Sequence, residues 1–219
     1  MTAVTALVVA KAPVPGLAKT RLAAAVGDER AADIAAAALL DTLDAVAATP
    51  FAARVVALTG DLALAARSGE IRSRLADFTV IGQRGTDFGH RLAYAHADAA
   101  AAVGDRPILQ IGMDTPQLTA DLLADCAGKL APGTAVLGPA ADGGWWALGV
   151  SDHLLAGCLA RVPMSQSDTG ALTAAALEQA GAQVVFAAEL GDVDTISDVP
   201  LVRAACRPAS RFALATEGI

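Results

Sequence analysis

The chain has 219 residues and a formal net charge of −7 at pH 7, and 54% of its residues are hydrophobic. Charged residues interrupt every Ala/Leu run before it reaches the roughly 20 residues of a membrane-spanning helix, so the composition excludes membrane insertion and favours a cytoplasmic protein. The basic residues form no dense block, which argues against a nucleic-acid partner.

In chain order, short apolar segments alternate with longer Ala/Leu segments of helical period. The predicted strands cover residues 5–10, 54–59, 78–82, 107–112, 134–139, 145–150 and 182–187. The predicted helices cover residues 31–48, 88–103, 119–130, 167–180 and 197–206. This alternation predicts a three-layer α/β/α fold with a mostly parallel sheet. One domain is expected over residues 1–206, followed by a flexible tail over residues 207–219.

The strongest functional signal follows the first strand directly. Lys11, Lys19 and Arg21 occur in a loop that two prolines and a glycine make irregular. Ligands of open α/β sheets bind at the carboxyl ends of the strands, and cations at a helix start oppose the helix dipole unless an anion lies between them. The alternative is a solvated loop, and the Walker motif is absent. The predicted phosphate-binding residues are Lys11, Ala12, Pro13, Gly16, Lys19 and Arg21.

An acid follows the predicted central strand. Asp114 stands two residues after Gly112, a glycine that lets the backbone approach a ligand closely. One carboxylate at this place suits Mg²⁺, which takes one or two protein oxygens and completes its shell with water and phosphate. Helix capping is the alternative role for Asp114. Asp192 and Asp194, after the last strand, are candidates either for a second metal ligand or for capping.

A glycine-rich loop follows the third strand. Gln83 offers a hydrogen-bond donor and an acceptor, as the edge of a nucleobase requires. Gly85 and Gly89 would allow close approach to the base. These residues are predicted to lie near the nucleobase, with an ordinary surface turn as the alternative.

The predicted hairpin over residues 134–150 carries both tryptophans. Alternation along a strand sends the rings of Trp145 and Trp146 to opposite faces, so we expect one to line an acceptor pocket and the other to pack in the core. The candidate acceptor-binding residues are Asp142, Gly143, Gly144, Trp145 and Ser165. No Ser-His-Asp or Cys-His motif indicates covalent catalysis, and the isolated cysteines indicate neither zinc nor disulfides.

These motifs together resemble the DUF2064 family of bacterial proteins. They are, in chain order, Lys11-Ala-Pro-Val-Pro-Gly with Lys19-Thr-Arg-Leu, Gly112-Met-Asp-Thr-Pro, Gly138-Pro-Ala-Ala-Asp-Gly-Gly and Asp192-Val-Asp-Thr. That family is similar to the molybdenum cofactor (MobA-like) and phospholactate guanylyltransferases of the GT-A, or nucleotide-diphospho-sugar transferase, fold. The resemblance extends to about residue 206. Trp145-Trp146 and Met164-Ser165 depart from the usual Tyr-Tyr and Trp-Ser pairs.

The resemblance implies specific roles for several residues. Lys11, Lys19 and Arg21 would hold a triphosphate, Gln83 and Gly89 would lie near the base, and Asp114 with Asp194 would hold Mg²⁺ or Mn²⁺. Lys19, Arg21 and Asp114 would form the catalytic group.

The expected reaction is nucleotidyl transfer, in which a small phosphorylated or anionic acceptor attacks an NTP and pyrophosphate leaves. GTP or CTP is the expected nucleotide, and the protein is expected to be a monomer or homodimer. The runner-up is a glycosyltransferase of the same fold with a nucleotide-sugar donor. Pro116 stands at the third position of the Asp-x-Asp motif that such enzymes commonly carry. A non-catalytic nucleotide-binding protein is the third possibility.

Overall fold

The computed structural model describes residues 2–219. Its strands are β1 (Thr2–Lys11), β2 (Phe51–Thr59), β3 (Thr79–Gly82), β4 (Ile108–Gly112), β5 (Thr134–Pro139), β6 (Trp145–Val150) and β7 (Gln183–Phe186). Its helices are α1 (Thr20–Val26), α2 (Asp28–Ala48), α3 (Ser68–Leu75), α4 (Phe88–Val103), α5 (Ala120–Gly128), α6 (Thr169–Gln179), α7 (Asp198–Ala205) and α8 (Arg211–Ala215). Two 3-10 segments cover Leu62–Leu64 and His153–Arg161.

The strands form one sheet in the order β3-β2-β1-β4-β6-β5-β7. Strand β6 runs antiparallel to both β4 and β5, and every other neighbouring pair is parallel. Strand β6 is antiparallel because it is the second strand of the β5–β6 hairpin. The tight turn in the sequence predicts this hairpin. The expected α/β fold with a mostly parallel sheet is therefore confirmed.

Helices cover both faces of this sheet because its central strands are apolar on both sides. Along β1, Val8 packs in a core layer with residues of α2, α3 and α5. Its neighbour Leu7 packs on the opposite face with residues of α4, the His153–Arg161 segment and α6. Alternate residues of one strand thus contribute to two separate core layers.

The C-terminal residues pack against α2 instead of forming the expected flexible tail. Phe212 of α8 is fully buried and lies in a cluster with Leu22 and Ile34. The backbone N–H groups of Arg211 and Phe212 donate to the Asp41 carboxylate at 3.1 and 2.8 Å. A five-residue helix with a single buried aromatic ring has no periodic apolar face, so its packing is not visible as a sequence pattern.

Two further helices, α1 and α3, are missing from the predicted elements. Both are short, and the cap residue before each lies in the left-handed region: Lys19 with φ 49° and Arg67 with φ 50°. Within residues 2–219, none of the helices is both long and apolar enough to cross a membrane.

Candidate functional site

A cleft of about 430 Å³ opens at the carboxyl ends of β1, β2 and β4. One wall comes from these strand ends and the start of α4, and the other comes from the β5–β6 hairpin and residues 164–169. This volume and this position at strand ends are typical of small-molecule sites in open α/β sheets.

Lys19 lies outside the cleft lining but contacts Asp114, a lining residue, and it has an unusual backbone conformation at the start of α1. Its φ and ψ are 49° and 47°, in the left-handed region that costs a non-glycine residue about 1–3 kcal/mol. The side chain does not cap the helix, is only 10% exposed, and places Nζ 3.0 Å from Oδ2 of Asp114. The backbone strain therefore accompanies a buried ammonium group held against an acid that lines the cleft.

The other two predicted cations are held differently. Lys11 lines the cleft, and its Nζ donates to the Leu17 carbonyl at 2.7 Å. Arg21 lies outside the lining, with its side chain 75% exposed and its guanidinium 2.6 Å from Asp194.

The remaining predicted phosphate-binding residues shape the loop and do not line the cleft. The Ala12 N–H donates to the Thr59 carbonyl at 2.8 Å, and the Pro13 carbonyl accepts from Ala66 at 3.0 Å. Gly16 has φ 75°, a conformation that favours glycine. These contacts fix the path of the chain between the end of β1 and Lys19.

Asp114 has an incomplete set of partners. Its Oδ2 faces Lys19, whereas its Oδ1 is buried and has no hydrogen-bond partner among the described residues. A buried acceptor without a partner costs about 1–3 kcal/mol. The carboxylate thus fits a bound cation, with Gly112 and Thr115 beside it in the lining.

Of the two acids after the last strand, Asp192 lines the cleft and Asp194 does not. The N–H of Val193, between them, donates to the Asp114 carbonyl at 3.2 Å, which places this segment beside the Asp114 loop. Burial raises the pKa of Asp192, and so do the nearby Asp142 and Asp114 carboxylates, while Lys19 lowers it. Asp192 therefore lines the cleft with Asp114, whereas Asp194, which the resemblance implies as the second metal ligand, pairs with Arg21 outside the lining.

Another acidic group lies at the end of β4 that is remote from the cleft. Among the described residues, Asp105, Asp152 and His153 are the one group of three potential metal ligands whose atoms all lie within 4.8 Å of one another. Asp105 precedes β4 and the other two follow β6, whereas the cleft lies beyond the far end of β4. This exposed group is separate from the cleft.

Gln83 borders the cleft with its amide group already engaged. Its Nε2 donates to the carbonyls of Ala10 and Ala57 at 2.8 and 2.9 Å, so its carbonyl oxygen remains to bind a ligand. Gly85 and Gly89 do not line the cleft. A Cβ at Gly89 would lie 2.5 Å from the Leu159 carbonyl oxygen, and one at Gly85 would lie 2.8 Å from the Arg91 nitrogen. Both glycines are explained by close backbone packing.

The two tryptophans pack on opposite faces of the sheet, as alternation predicts. Trp146 is 3% exposed, and its Nε1 donates to the Ala188 carbonyl at 2.9 Å. A Cβ on Gly138 would lie 2.5 Å from the Trp146 ring, so this glycine makes room for it. Trp145 is half-buried and donates to Thr173 Oγ1 at 3.1 Å. Both tryptophans border the cleft.

Of the four remaining acceptor-side candidates, three line the cleft and one does not. Asp142, Gly144 and Ser165 line the cleft, and Asp142 accepts from the Gly144 N–H at 2.8 Å. Gly143 lies outside the lining, with φ 87°, and its absent Cβ would collide with the Ser167 carbonyl. Gly143 therefore has a packing role in the turn.

The structure also adds cleft residues that the sequence motifs do not reveal, notably Arg91 and Gln110. Gln110 is the one polar side chain inside the apolar run of β4, and that interruption is the sequence signal for it. Arg91 resembles any other helical surface charge and carries no such signal.

The architecture agrees with that of solved nucleotide-diphospho-sugar transferases and nucleotidyltransferases. A candidate nucleotide-diphospho-sugar transferase from Desulfovibrio desulfuricans G20 is similar with a TM-score of 0.83 and 24% identity, over 98% of this chain and 94% of that chain. A nucleotidyl transferase from Methanothermobacter thermautotroptrophicus has a TM-score of 0.58 and 17% identity, over 93% and 97%. Rv0371c from Mycobacterium tuberculosis H37Rv, in complex with manganese, has a TM-score of 0.56 and 19% identity, over 92% and 98%. The chain has the nucleotide-diphospho-sugar transferase fold.

Residues 42–166 match the family described as an uncharacterized protein conserved in bacteria (DUF2064). This match covers more than half of the chain, and the chain belongs to this family. The comparison with curated proteins finds no match.

Proposed function

We propose that the protein is a magnesium-dependent nucleotidyltransferase, which moves a nucleoside monophosphate from an NTP to a small anionic acceptor and releases pyrophosphate. The observation that carries the proposal is the contact between Lys19 and Asp114 at 3.0 Å, in which Asp114 keeps a second, buried oxygen without a partner. A carboxylate oxygen without a partner and a cationic side chain thus lie side by side at one cleft. A metal-bound triphosphate would supply a cation to Asp114 and an anion to Lys19.

Asp114 and Asp192 would hold the metal ion. Their oxygens suit Mg²⁺ or Mn²⁺, and Rv0371c, of the same fold, was solved with manganese. A divalent ion bound there would neutralise charge on the phosphates of the substrate. Its arrival would also free the Lys19 ammonium from Asp114.

Lys11 and Lys19 would then bind the triphosphate. The freed Lys19 would face the β- and γ-phosphates, and its charge would stabilise the departing pyrophosphate. Arg21 lies at the rim, where it would attract the anion and not hold it closely. An anionic acceptor is already ionised, so orientation and charge neutralisation account for the chemistry without a strong general base.

Glycosyl transfer from a nucleotide sugar is the second candidate, because the structure from Desulfovibrio desulfuricans with a TM-score of 0.83 was described as a candidate nucleotide-diphospho-sugar transferase. The products distinguish the two reactions. Nucleotidyl transfer releases pyrophosphate from an NTP, whereas glycosyl transfer releases a nucleoside diphosphate from a nucleotide sugar.

A ligand panel followed by product analysis tests the proposal. Four NTPs and several nucleotide sugars, each with and without Mg²⁺, are compared by thermal shift, where a ligand at a hundred times its Kd adds about 2.7 kcal/mol. The NTP that binds is then incubated with phosphorylated and carboxylic acceptors. We expect pyrophosphate in equal amount to a new nucleotidyl product. Nucleoside diphosphate from a nucleotide sugar, with no pyrophosphate from any NTP, would instead establish the glycosyltransferase.

A further inference from the structure

Arg91 is a cation in the cleft without a counter-charge. It lies in the first turn of α4, where its N–H donates to the carbonyl of the helix cap Asp87 at 3.0 Å. Its side chain lines the cleft and is half-buried. Within residues 2–219, no carboxylate lies within ion-pair distance of it, and its guanidinium makes no hydrogen bond. A cation in the first turn also opposes the helix dipole. Among the described residues, no ion pair or side-chain hydrogen bond holds this charge.

Gln110, on β4, lines the same cleft. The residue is 2% exposed, and its Oε1 lies 2.9 Å from Nε2 of His96. Burial lowers the pKa of His96 to about 4, although the Gln110 contact opposes this shift, so the ring is neutral at pH 7 and donates to Gln110. The amide NH₂ of Gln110 then has no partner among the described residues while the side chain borders the cleft. This NH₂ group is therefore an unpaired hydrogen-bond donor.

Apolar side chains line the same cleft as these two donors. They are Phe88, Leu92, Trp145 and Met164, and Phe88 is 46% exposed. A ligand here would combine an oxyanion, which a guanidinium and an amide bind together, with an apolar or aromatic body.

We propose that Arg91 and Gln110 form the oxyanion subsite of the acceptor, a carboxylate or phosphate group carried on an apolar or aromatic body. The assignment to the acceptor rests on the proposed function. The triphosphate has its own cations in Lys11 and Lys19, on the loop after β1. Trp145 and Met164 belong to the opposite wall of the cleft, beyond β4 in the sheet, so an apolar body that packs against them would extend away from the loop after β1.

Small aromatic anions test this subsite without knowledge of the natural acceptor. Benzoate and phenyl phosphate represent the two sources of oxyanion, and benzamide has the same ring without charge. Binding is followed by NMR on the indole N–H signal of Trp145, assigned with Trp145→Phe. We expect benzoate, phenyl phosphate or both to shift this signal, and benzamide not to do so. The stronger of the two anions identifies the group that the acceptor carries.

Arg91→Met keeps the apolar stem and removes the charge, and Arg91→Gln keeps a donor without charge. We expect both variants to bind the anion at least about tenfold more weakly than the wild type, a loss of about 1.4 kcal/mol, because the charged hydrogen bond is removed. Arg72→Met, on exposed α3, is the matched control and should bind the anion as the wild type does. Since Arg91 has no partner in the protein, its loss should leave the unfolding temperature unchanged.

Nucleotide binding separates the two proposals. Mg²⁺·NTP should stabilise the Arg91 variants as much as the wild type. An Arg91→Met protein that loses nucleotide and benzoate binding together would show that the cation serves the nucleotide, which overturns the inference. Equal binding of benzoate and benzamide, or no binding of either anion by the wild type, also overturns it. If no NTP binds any of these proteins while the anion binding depends on Arg91, the proposed reaction is refuted and the oxyanion subsite is supported.

Discussion

The two sides of the cleft are held in place by different forces. On the β1 side, Lys19 and Arg21 make ion pairs with Asp114 and Asp194, and the partner carboxylates are 34% and 38% exposed. On the hairpin side, Trp146 is nearly fully buried, and Gly138 leaves room for its ring. The charged side thus consists of contacts that a ligand can exchange, whereas the aromatic side consists of packing.

This difference predicts different effects for substitutions on the two sides of the cleft. The exposed Arg21–Asp194 pair contributes about 0–1 kcal/mol, and a metal ion and a triphosphate would replace the Lys19–Asp114 contact with charges of the same signs. Removing a buried aromatic ring costs several kcal/mol, so the hairpin cannot rearrange in the same way. We therefore expect substitutions on the charged side to change affinity and substitutions on the aromatic side to change stability.

The largest expected effect is on the aromatic side. Trp146→Ala should lower the free energy of unfolding by about 3–5 kcal/mol, because it empties a buried site in the core. Trp145→Ala, at a half-buried position, should cost only about 1–2 kcal/mol. Urea denaturation of both variants measures the difference. Equal costs would mean that the two rings do not differ in role.

The next largest expected effect is the pH dependence of stability that comes from His96, the partner of Gln110. The ordinary pKa of a histidine is 6.5, and burial lowers that of His96 to about 4. Between these values the unfolded chain binds a proton that the folded protein resists, so stability falls as the pH drops from about 6.5 to about 4. The loss should reach about 2–3 kcal/mol.

His96→Gln isolates this contribution, because it removes the titrating ring and places an amide near the position of Nε2, which contacts Gln110. The unfolding free energy of this variant should depend less on pH over that range than that of the wild type. If His96→Gln and the wild type lose stability in parallel, burial does not keep His96 neutral.

The smallest effect compares the two cations at the start of α1. Lys19→Ala should weaken NTP binding about tenfold or more and weaken NMP binding less, because its expected partners are the β- and γ-phosphates. Arg21→Ala should weaken NTP binding only about two- to threefold, since its side chain is 75% exposed. Titration calorimetry with an NTP and the matching NMP compares them. A larger loss for Arg21→Ala would place the triphosphate at the rim.

The sequence predicts the sheet well, because its strands are continuous apolar runs at regular spacing. The apolar run of β1 and the tight turn before Trp145 are sufficient to predict a buried strand and one hairpin. The docking of Phe212 onto α2 is not predictable in this way, because it depends on one ring and on Asp41, an acid far away in sequence. Long-range contacts of single residues leave no local pattern.

The candidate site shows the same limit. Asp114 is predictable from the sequence because it closely follows a predicted strand, at the carboxyl end where open α/β sheets bind ligands. The choice between Asp192 and Asp194 depends on how the chain turns around Val193, which residue types do not determine. Gly85 and Gly89 carry the composition of a ligand loop, yet backbone packing accounts for both.

The most direct test of the account is the effect of Mg²⁺ on the affinity for an NTP, measured by titration calorimetry in four proteins. In the wild type and in Asp194→Asn, Mg²⁺ should tighten NTP binding about tenfold or more, which corresponds to about 1.4 kcal/mol. In Asp114→Asn and Asp192→Asn, which keep the size of the side chain and remove its charge, the effect should vanish while folding is retained. An Asp114→Asn protein with an unchanged response to Mg²⁺ would contradict the metal site and the proposed reaction with it.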